Sequence, residues 1–523
     1  MTSSNQDSPV EIAAVVYLTV LGLAVRLAAP IMSQFPLNDG GLFHVMIVDL
    51  VSNGLRLPFA TTYNNADIPF VYPPLAIYFT AILEKMTGLA TLDLLRILPA
   101  VFSGLAIPAF YLLARELTST KLQTVFAVFS FAFIPRVFEW HVTGGGITRA
   151  PGFIFAMVTL YFVKRSYKKP TGKNLSLSAL FGAITLLTHP EAAVHTAISA
   201  GVFYLWMNRS IKGLMHSLAV ALGVIALSAP WWLFVILRHG FDPFQAAFSA
   251  VGADSPNILV RIFVGFLFIF TDEPYLAVTA VFALIGLFAS IARRDFFPIV
   301  WMFALYLLEP RGGALYMMLP LSLLAGLGLV SIFSNLVRGP SASGDISISI
   351  SIQQVLEHKT ARWMFAFLFV YLLMAAFATG ERLRKDFSLQ PSDVETFIWI
   401  SKYTPPSASF AVLTGESTPF RDPWTEWFPA ITERKSLGTI FGYEWVDDGM
   451  FEKRILRFES LQACARKDAD CLSVWEDEYN LDLTHLYLQL EDATLPLQIS
   501  LKNSRNYKLI YETNTAAIYE QLK

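Results

Sequence analysis

The stretch NDGG, residues 38–41, sets one carboxylate, Asp39, ahead of two glycines and just past the first long apolar run. A carboxylate so placed can take a proton from an attacking hydroxyl. General-base help of that kind is typically worth about 10²–10⁴ in rate. Gly40 and Gly41 let the backbone pass close to a ligand without side-chain obstruction. The same residues also read as helix punctuation, because Asn38 or Asp39 would cap the helix that GLFHVMIVDL forms.

Cations suited to a phosphate form a second group. Arg149 in GGGITR and Arg311 in LEPRGGALY carry planar forks that match phosphate oxygens. Their alternative role is snorkelling toward lipid headgroups. His189 and Glu191 flank Pro190 in THPEAAVH, with His195 one turn on, and they read either as phosphate or substrate contacts or as a plain helix break. Glu309, His44 and Tyr72 complete the substrate-binding candidates. GGGITR lacks the spacing and lysine of a phosphate-binding loop and reads as a flexible turn lining a cavity. Asp272 and Glu273 read as helix caps, Asp49 as solvated, and Trp231 and Trp232 as an interfacial belt. His44 and His141 have no metal-ligand spacing, so no zinc or other metal site is assigned.

The elements that must position these residues are membrane helices. Of the 523 residues, 54% are hydrophobic and 15% charged, against about 25% charged in an ordinary soluble domain. Apolar runs predict about eleven spans, near 10–32, 94–114, 121–135, 150–164, 175–188, 192–208, 214–237, 275–291, 296–308, 314–335 and 361–379. Two shorter pieces, YPPLAIYFTAIL (72–83) and LVRIFVGFLFIF (259–270), read as interfacial. MTSSNQDSPV has no Lys or Arg, as a cleaved leader would need, so the first run reads as a retained span. The net charge of −2 gives no reason to expect a nucleic-acid partner.

Basic residues assign the sides. VKRSYKKPTGK carries Lys164, Arg165, Lys168, Lys169 and Lys173 between two spans and is taken as cytoplasmic. Alternation then places Arg115 with Lys121, Arg209 with Lys212, Arg293 with Arg294, and the polar loop 341–354 on that same side. The expected protein is a multi-pass cell-membrane protein with its N-terminus cytoplasmic. Every polar cluster named above falls on the opposite, outer face. An ionisable group costs roughly 2.5–3.5 kcal/mol at a helix centre, so several gathered on one face argue for a polar cavity opening outward. From about residue 381 charges become dense and β-like runs such as SFAVLTG and THLYLQL appear. This predicts two parts: a membrane domain, 1–380, with a large first outer loop, 33–93, and an extracytoplasmic soluble α/β domain, 381–523. Cys464 and Cys471 fit one disulfide in that domain or two free thiols.

NDGG after the first span, the proline-led YPPLAIYFTAIL, PRGGALYMMLPLSLLAGLGL ahead of a later span, and the tail segments FIWISKYTPPSASFAVLTGE and EWFPAITERKSLGTIFGYEW together resemble the GT-C superfamily of integral-membrane glycosyltransferases. The resemblance is of the protein O-mannosyltransferase and aminoarabinose-transferase kind. It implies transfer of a sugar from a polyprenyl-phosphate-linked donor to a lipid, glycan or protein acceptor on the outer side, usually with inversion. Asp39 matches the acid of the first loop, and Arg311, Arg149 and His189 are the residues for the donor phosphate. Related members carry Asp-Glu or Asp-x-Asp here, whereas glycines follow Asp39. One carboxylate is a poor cage for a hard cation, so no cofactor is assigned and a divalent cation stays open. The competing classes are a lipid or solute carrier, or flippase, and a membrane-anchored binding protein. A carrier should show polar or broken helices at mid-membrane and two related halves. Here the polar residues gather at one face, and about eleven spans exceed what an anchor needs.

Overall fold

The computed structural model describes residues 3–250, 257–268, 270–338, 350–446 and 450–522. Most of the loop 341–354 lies outside the described residues. Each of the predicted apolar runs lies on a helix. Among the described residues six helices are long and apolar enough to cross a membrane: Pro9–Met32, Thr91–Leu117, Gly146–Lys168, Ile211–His239, Arg311–Arg338 and Lys359–Asp386. Shorter apolar helices include Lys121–Phe133, Val278–Ala292 and Phe297–Leu308. The sequence marks many helix starts locally. Thr120, Thr171 and Ser210 accept the N–H three residues on, and proline stands in the first turn of Pro190–Met207, Phe297–Leu308 and Pro310–Tyr316.

Packing among the helices rests on small residues and aromatic rings. Met318–Arg338 lies centrally, against Lys121–Phe133 and Val278–Ala292. A Cβ on Gly286 would strike the Leu324 carbonyl, and one on Gly328 the Phe282 carbonyl. In lipid, where apolar attraction between helices is weak, such close backbone approach supplies much of the contact energy. Phe126, Phe129, Phe133 and Phe365 fill one core around it. Arg26, a charge buried among these helices, is satisfied by Ser103 Oγ at 3.0 Å and by the carbonyls of Gly22 and Ala132 at 3.0 and 2.8 Å. It ties three helices together.

Among the described residues seven strands form two sheets. β1 (Ala60–Thr61) and β2 (Ile68–Pro69) pair in the first loop. β3 (Ser409–Leu413), β4 (Lys435–Ser436), β5 (His485–Gln489), β6 (Tyr507–Glu512) and β7 (Ala516–Gln521) form a five-stranded sheet in the order β4-β3-β5-β7-β6. β4, β3 and β5 run parallel, and β7 and β6 close the sheet antiparallel. β3 and β5 are buried along their whole length, as the consecutive apolar residues 410–413 and 486–488 require. Helices Met450–Cys464 and Ala469–Glu478 pack beside the sheet and are joined by the disulfide Cys464–Cys471.

The sheet region and the first loop share a core. Leu42, Ile47, Tyr63 and Phe70 are buried with Phe410, Trp427, Phe428 and Tyr487. Asn64 clamps β4, its Nδ2 donating to the Ser436 carbonyl and its Oδ1 accepting the Ser436 N–H. Leu37 bridges to Ser388, and Lys359–Asp386 runs past the predicted boundary at 380.

Several readings change. Asp49 is bonded rather than merely solvated, accepting from Thr61 Oγ1, Thr62 N and Thr62 Oγ1 at 2.7–2.8 Å, because it holds the β1 hairpin. Trp231 is buried and donates to the Val71 carbonyl at 3.0 Å instead of lying in a belt. Asp272 pairs with Arg136 at 2.5 Å, while Glu273 accepts the N–H of Thr279 in the first turn of Val278–Ala292.

Candidate active site

Asp39 does not cap a helix through its side chain. Its buried carboxylate points away from Gly41–Ser52 to the start of another helix, Gly146–Lys168. There Oδ1 accepts the N–H of Gly145 at 3.0 Å and Oδ2 meets Arg149 Nη2 at 2.6 Å. A helix N-terminus is a favourable place for a carboxylate. The three glycines 144–146 turn tightly into Gly146–Lys168: a Cβ on Gly144 would strike the Asp39 carbonyl, one on Gly145 would lie 2.8 Å from the carboxylate, and one on Gly146 would strike the His141 carbonyl. Gly40 next to Asp39 has φ of 126°, a conformation that only glycine adopts cheaply.

Arg149 is held by its own surroundings. Nε donates to the Trp140 carbonyl at 3.1 Å and Nη2 to Thr143 Oγ1 at 2.7 Å, and the guanidinium lies over the Trp140 ring. About 23% of the side chain stays exposed, enough for a further ligand contact. Beside it, Tyr72 OH lies 2.7 Å from His189 Nδ1 and 3.1 Å from Thr148 Oγ1. Burial pushes the Tyr72 phenol above its ordinary value, so it remains a neutral hydrogen-bonding group. Phe43 and Trp445 pack edge-on against its ring, at 4.9 and 5.9 Å between centroids.

A second cluster lies close by. Glu309 caps Pro310–Tyr316, taking the N–H groups of Arg311 and Gly312 at 3.0 Å each, and its Oε2 is 2.6 Å from His195 Nε2. His195 is fully buried and stacks on Tyr316 at 4.1 Å. Glu191 lies directly against Gly312, where a Cβ would collide with its carboxylate. Arg311 is exposed, and its charge acts on Glu191 and on Glu444 of the C-terminal region. The charge of Arg149 reaches Tyr72, His189 and Glu191. Asp39, Arg149, Tyr72, His189, Glu191, Glu309 and Arg311 thus converge from five segments of the chain. His44 stands apart. Its ring lies 6.1 Å from Trp427, no bond among the described residues links it to Asp39 or Arg149, and burial lowers it to about 4.

Sequence reasoning missed the contributions of the C-terminal region. Glu426 accepts the N–H groups of Gly40 and Leu42, and Glu444 and Trp445 border the cluster. Nothing local marks Glu426, whose partners are 386 and 384 residues away. Thr148, one residue before Arg149, and Tyr316 were also overlooked.

Three comparisons bear on this arrangement. Residues 71–234 match the family model for dolichyl-phosphate-mannose-protein mannosyltransferase. No curated protein sequence matches the chain. Among solved structures, the Archaeoglobus fulgidus oligosaccharyltransferase complexed with zinc and sulfate is similar at a TM-score of 0.62 and 14% identity, over 97% of this chain and 73% of that one. ArnT from Cupriavidus metallidurans, bound to undecaprenyl phosphate, is similar at 0.56 and 13% identity, over 97% and 98%. The arabinofuranosyltransferase AftD from Mycobacteria is similar at 0.53 and 14%, over 96% and 40%. This chain has the GT-C fold. For a divalent cation the residues fit poorly. Asp39 gives one oxygen to Gly145 and the other to Arg149. Among the described residues no group of three or more His, Cys, Asp or Glu side chains is placed to share an ion.

Proposed function

We propose that the protein is a glycosyltransferase that moves a sugar from a polyprenyl-phosphate-linked donor to an acceptor hydroxyl on the outer side of the membrane, with inversion. The observation that carries this reading is the Asp39–Arg149 pair, a carboxylate and a guanidinium held 2.6 Å apart in a GT-C fold, suited to act as base and phosphate-binding cation. The donor class is supported by the neighbours, one solved with dolichol phosphate and another with undecaprenyl phosphate.

In this reading the acceptor O–H attacks the anomeric carbon while the bond from that carbon to the phosphate oxygen breaks. The proton passes to Asp39. Both its oxygens already accept one bond, but each keeps a second lone pair for the hydroxyl. The departing lipid phosphate gains charge at its bridging oxygen. The exposed edge of Arg149, Arg311 and the His189 imidazole are the groups that receive it, Tyr72 holding His189 in place through Nδ1. Glu191 and Glu309 border the space where the sugar hydroxyls would lie, Glu309 also aiming Arg311 through the cap it provides. His44, packed on Trp427, is not given a substrate contact.

The test is transfer by purified protein in nanodiscs, supplied with a panel of polyprenyl-phosphate sugars and read as release of polyprenyl phosphate. Asp39→Asn should remain folded and lose transfer by about 10² or more, since an amide cannot accept the proton. Parental turnover by Asp39→Asn would end the base assignment.

A further inference from the structure

Glu426 belongs to the C-terminal helix Pro423–Thr432, yet its carboxyl group lies inside the first loop. Oε1 accepts the N–H of Gly40 at 3.0 Å and of Leu42 at 3.3 Å. These are donors at the start of Gly41–Ser52, a helix with no side-chain cap of its own. The next residue works on the other side of Asp39: Trp427 Nε1 donates to the Asn38 carbonyl at 2.8 Å. Two consecutive C-terminal residues therefore fix the backbone immediately before and after Asp39. A Cβ on Gly41 would lie 2.7 Å from the Glu426 carbonyl, so the two segments touch with no space between them.

The protonation of Glu426 follows from its neighbours. The side chain is buried, and Oε2 has no hydrogen-bond partner. Asp39 on the loop and Arg149 on Gly146–Lys168 face it, and Tyr63, whose OH donates to the Glu426 carbonyl, packs alongside. Arg149 gives its Nη2 to Asp39 rather than to Glu426. A buried carboxylate with one oxygen undonated and a second carboxylate beside it would be costly, and the neutral acid, even with its O–H unpartnered, costs less. Burial and the Asp39 charge accordingly push the Glu426 carboxyl well above its usual range.

We propose that Glu426 is a positioning residue for Asp39: a neutral carboxylic acid, supplied by the C-terminal region, that pins the Gly40–Leu42 backbone so that Asp39 meets Arg149. This rests on the transferase reading only for its activity measurement. The site is then incomplete without the C-terminal region.

Difference infrared spectroscopy of parent against Glu426→Gln tests the protonation state without any turnover. The parent at pH 7 should show a protonated-carboxyl band that the variant lacks, and identical spectra in that region overturn the proposal. In the transfer assay, Glu426→Ala should lower kcat on the order of 10²-fold, with donor KM little changed, because misplacing a catalytic group by about 1 Å costs that much. Glu426→Gln keeps a neutral acceptor oxygen for both N–H groups and should recover most of the loss. Parental kcat in Glu426→Ala, or a Glu426→Gln variant as slow as Glu426→Ala, refutes the role. A parent that transfers no sugar from any donor defeats the transferase reading and leaves the infrared result to decide this one.

Discussion

Arg149 uses three hydrogen bonds to Trp140, Thr143 and Asp39 and sits above the Trp140 ring, so its position is set before any ligand arrives. Such preorganisation is what makes charge stabilisation effective in catalysis. It depends on Gly145, whose N–H holds Asp39 and whose missing side chain leaves room for the pair. Gly145→Ala would put a Cβ 2.8 Å from Asp39 Oδ2 and 3.0 Å from Arg149 Nη2. We expect that variant to stay folded and to lose transfer by roughly 10² through misplacement of the carboxylate, and unchanged turnover would show that the pair tolerates displacement. Arg311 differs, being exposed, with its backbone N–H held by Glu309. Arg311→Lys keeps the charge and loses the fork, so the Kd for polyprenyl phosphate should rise, and Arg311→Ala should raise it further. Equal binding by parent and both variants would return Arg311 to snorkelling.

Helix starts show how local and distant signals divide the work. Thr120, Thr171 and Ser210 cap their own helices, whereas Gly41–Ser52 is capped from another part of the chain by Glu426. Pro423–Thr432, which carries Glu426, begins at Asp422. Oδ1 of Asp422 accepts the Thr425 N–H at 3.2 Å and Oδ2 the Thr414 hydroxyl at 2.7 Å. Burial raises the Asp422 carboxyl from 3.8 to about 7. Below about pH 4 the acid is protonated folded and unfolded alike and contributes nothing. Between there and pH 7 the unfolded chain releases the proton while the folded chain keeps it, so stability falls as pH rises, by at most about 4 kcal/mol, and then levels off. Asp422→Asn keeps an acceptor oxygen for the Thr425 N–H and, like the protonated acid, turns a donor toward Thr414 Oγ1, without titrating. The difference in melting temperature, variant minus parent, should grow from pH 4 to pH 7, and a difference flat with pH would contradict the shift.

At the scale of the whole molecule, the chemistry and the basic loops lie at opposite ends of the helices. Arg149 and Lys164 share the helix Gly146–Lys168 and are separated by roughly 22 Å at 1.5 Å per residue. We expect a cysteine replacing exposed Lys173 to be shielded from an impermeant thiol reagent in intact cells, and one replacing exposed Ser417 to be labelled. The native cysteines are paired and give no background. Labelling at position 173 would place the site on the cytoplasmic side. The sequence by itself determined the membrane class, the helical runs, the mixed α/β tail and the acids, histidines and arginines that stand at helix ends. Each of these is written in local periodicity or in the charge asymmetry between loops. It also singled out Asp39 and Arg149, because a charge at the rim of an apolar run is conspicuous. Only the tertiary structure decided that Asp39 binds Arg149 rather than capping its own helix, that Tyr72 holds His189, that His195 pairs with Glu309, and that Glu426 secures the loop around Asp39. Those are contacts between segments up to 386 residues apart, and no pattern within either segment specifies which distant group will satisfy a buried donor or charge.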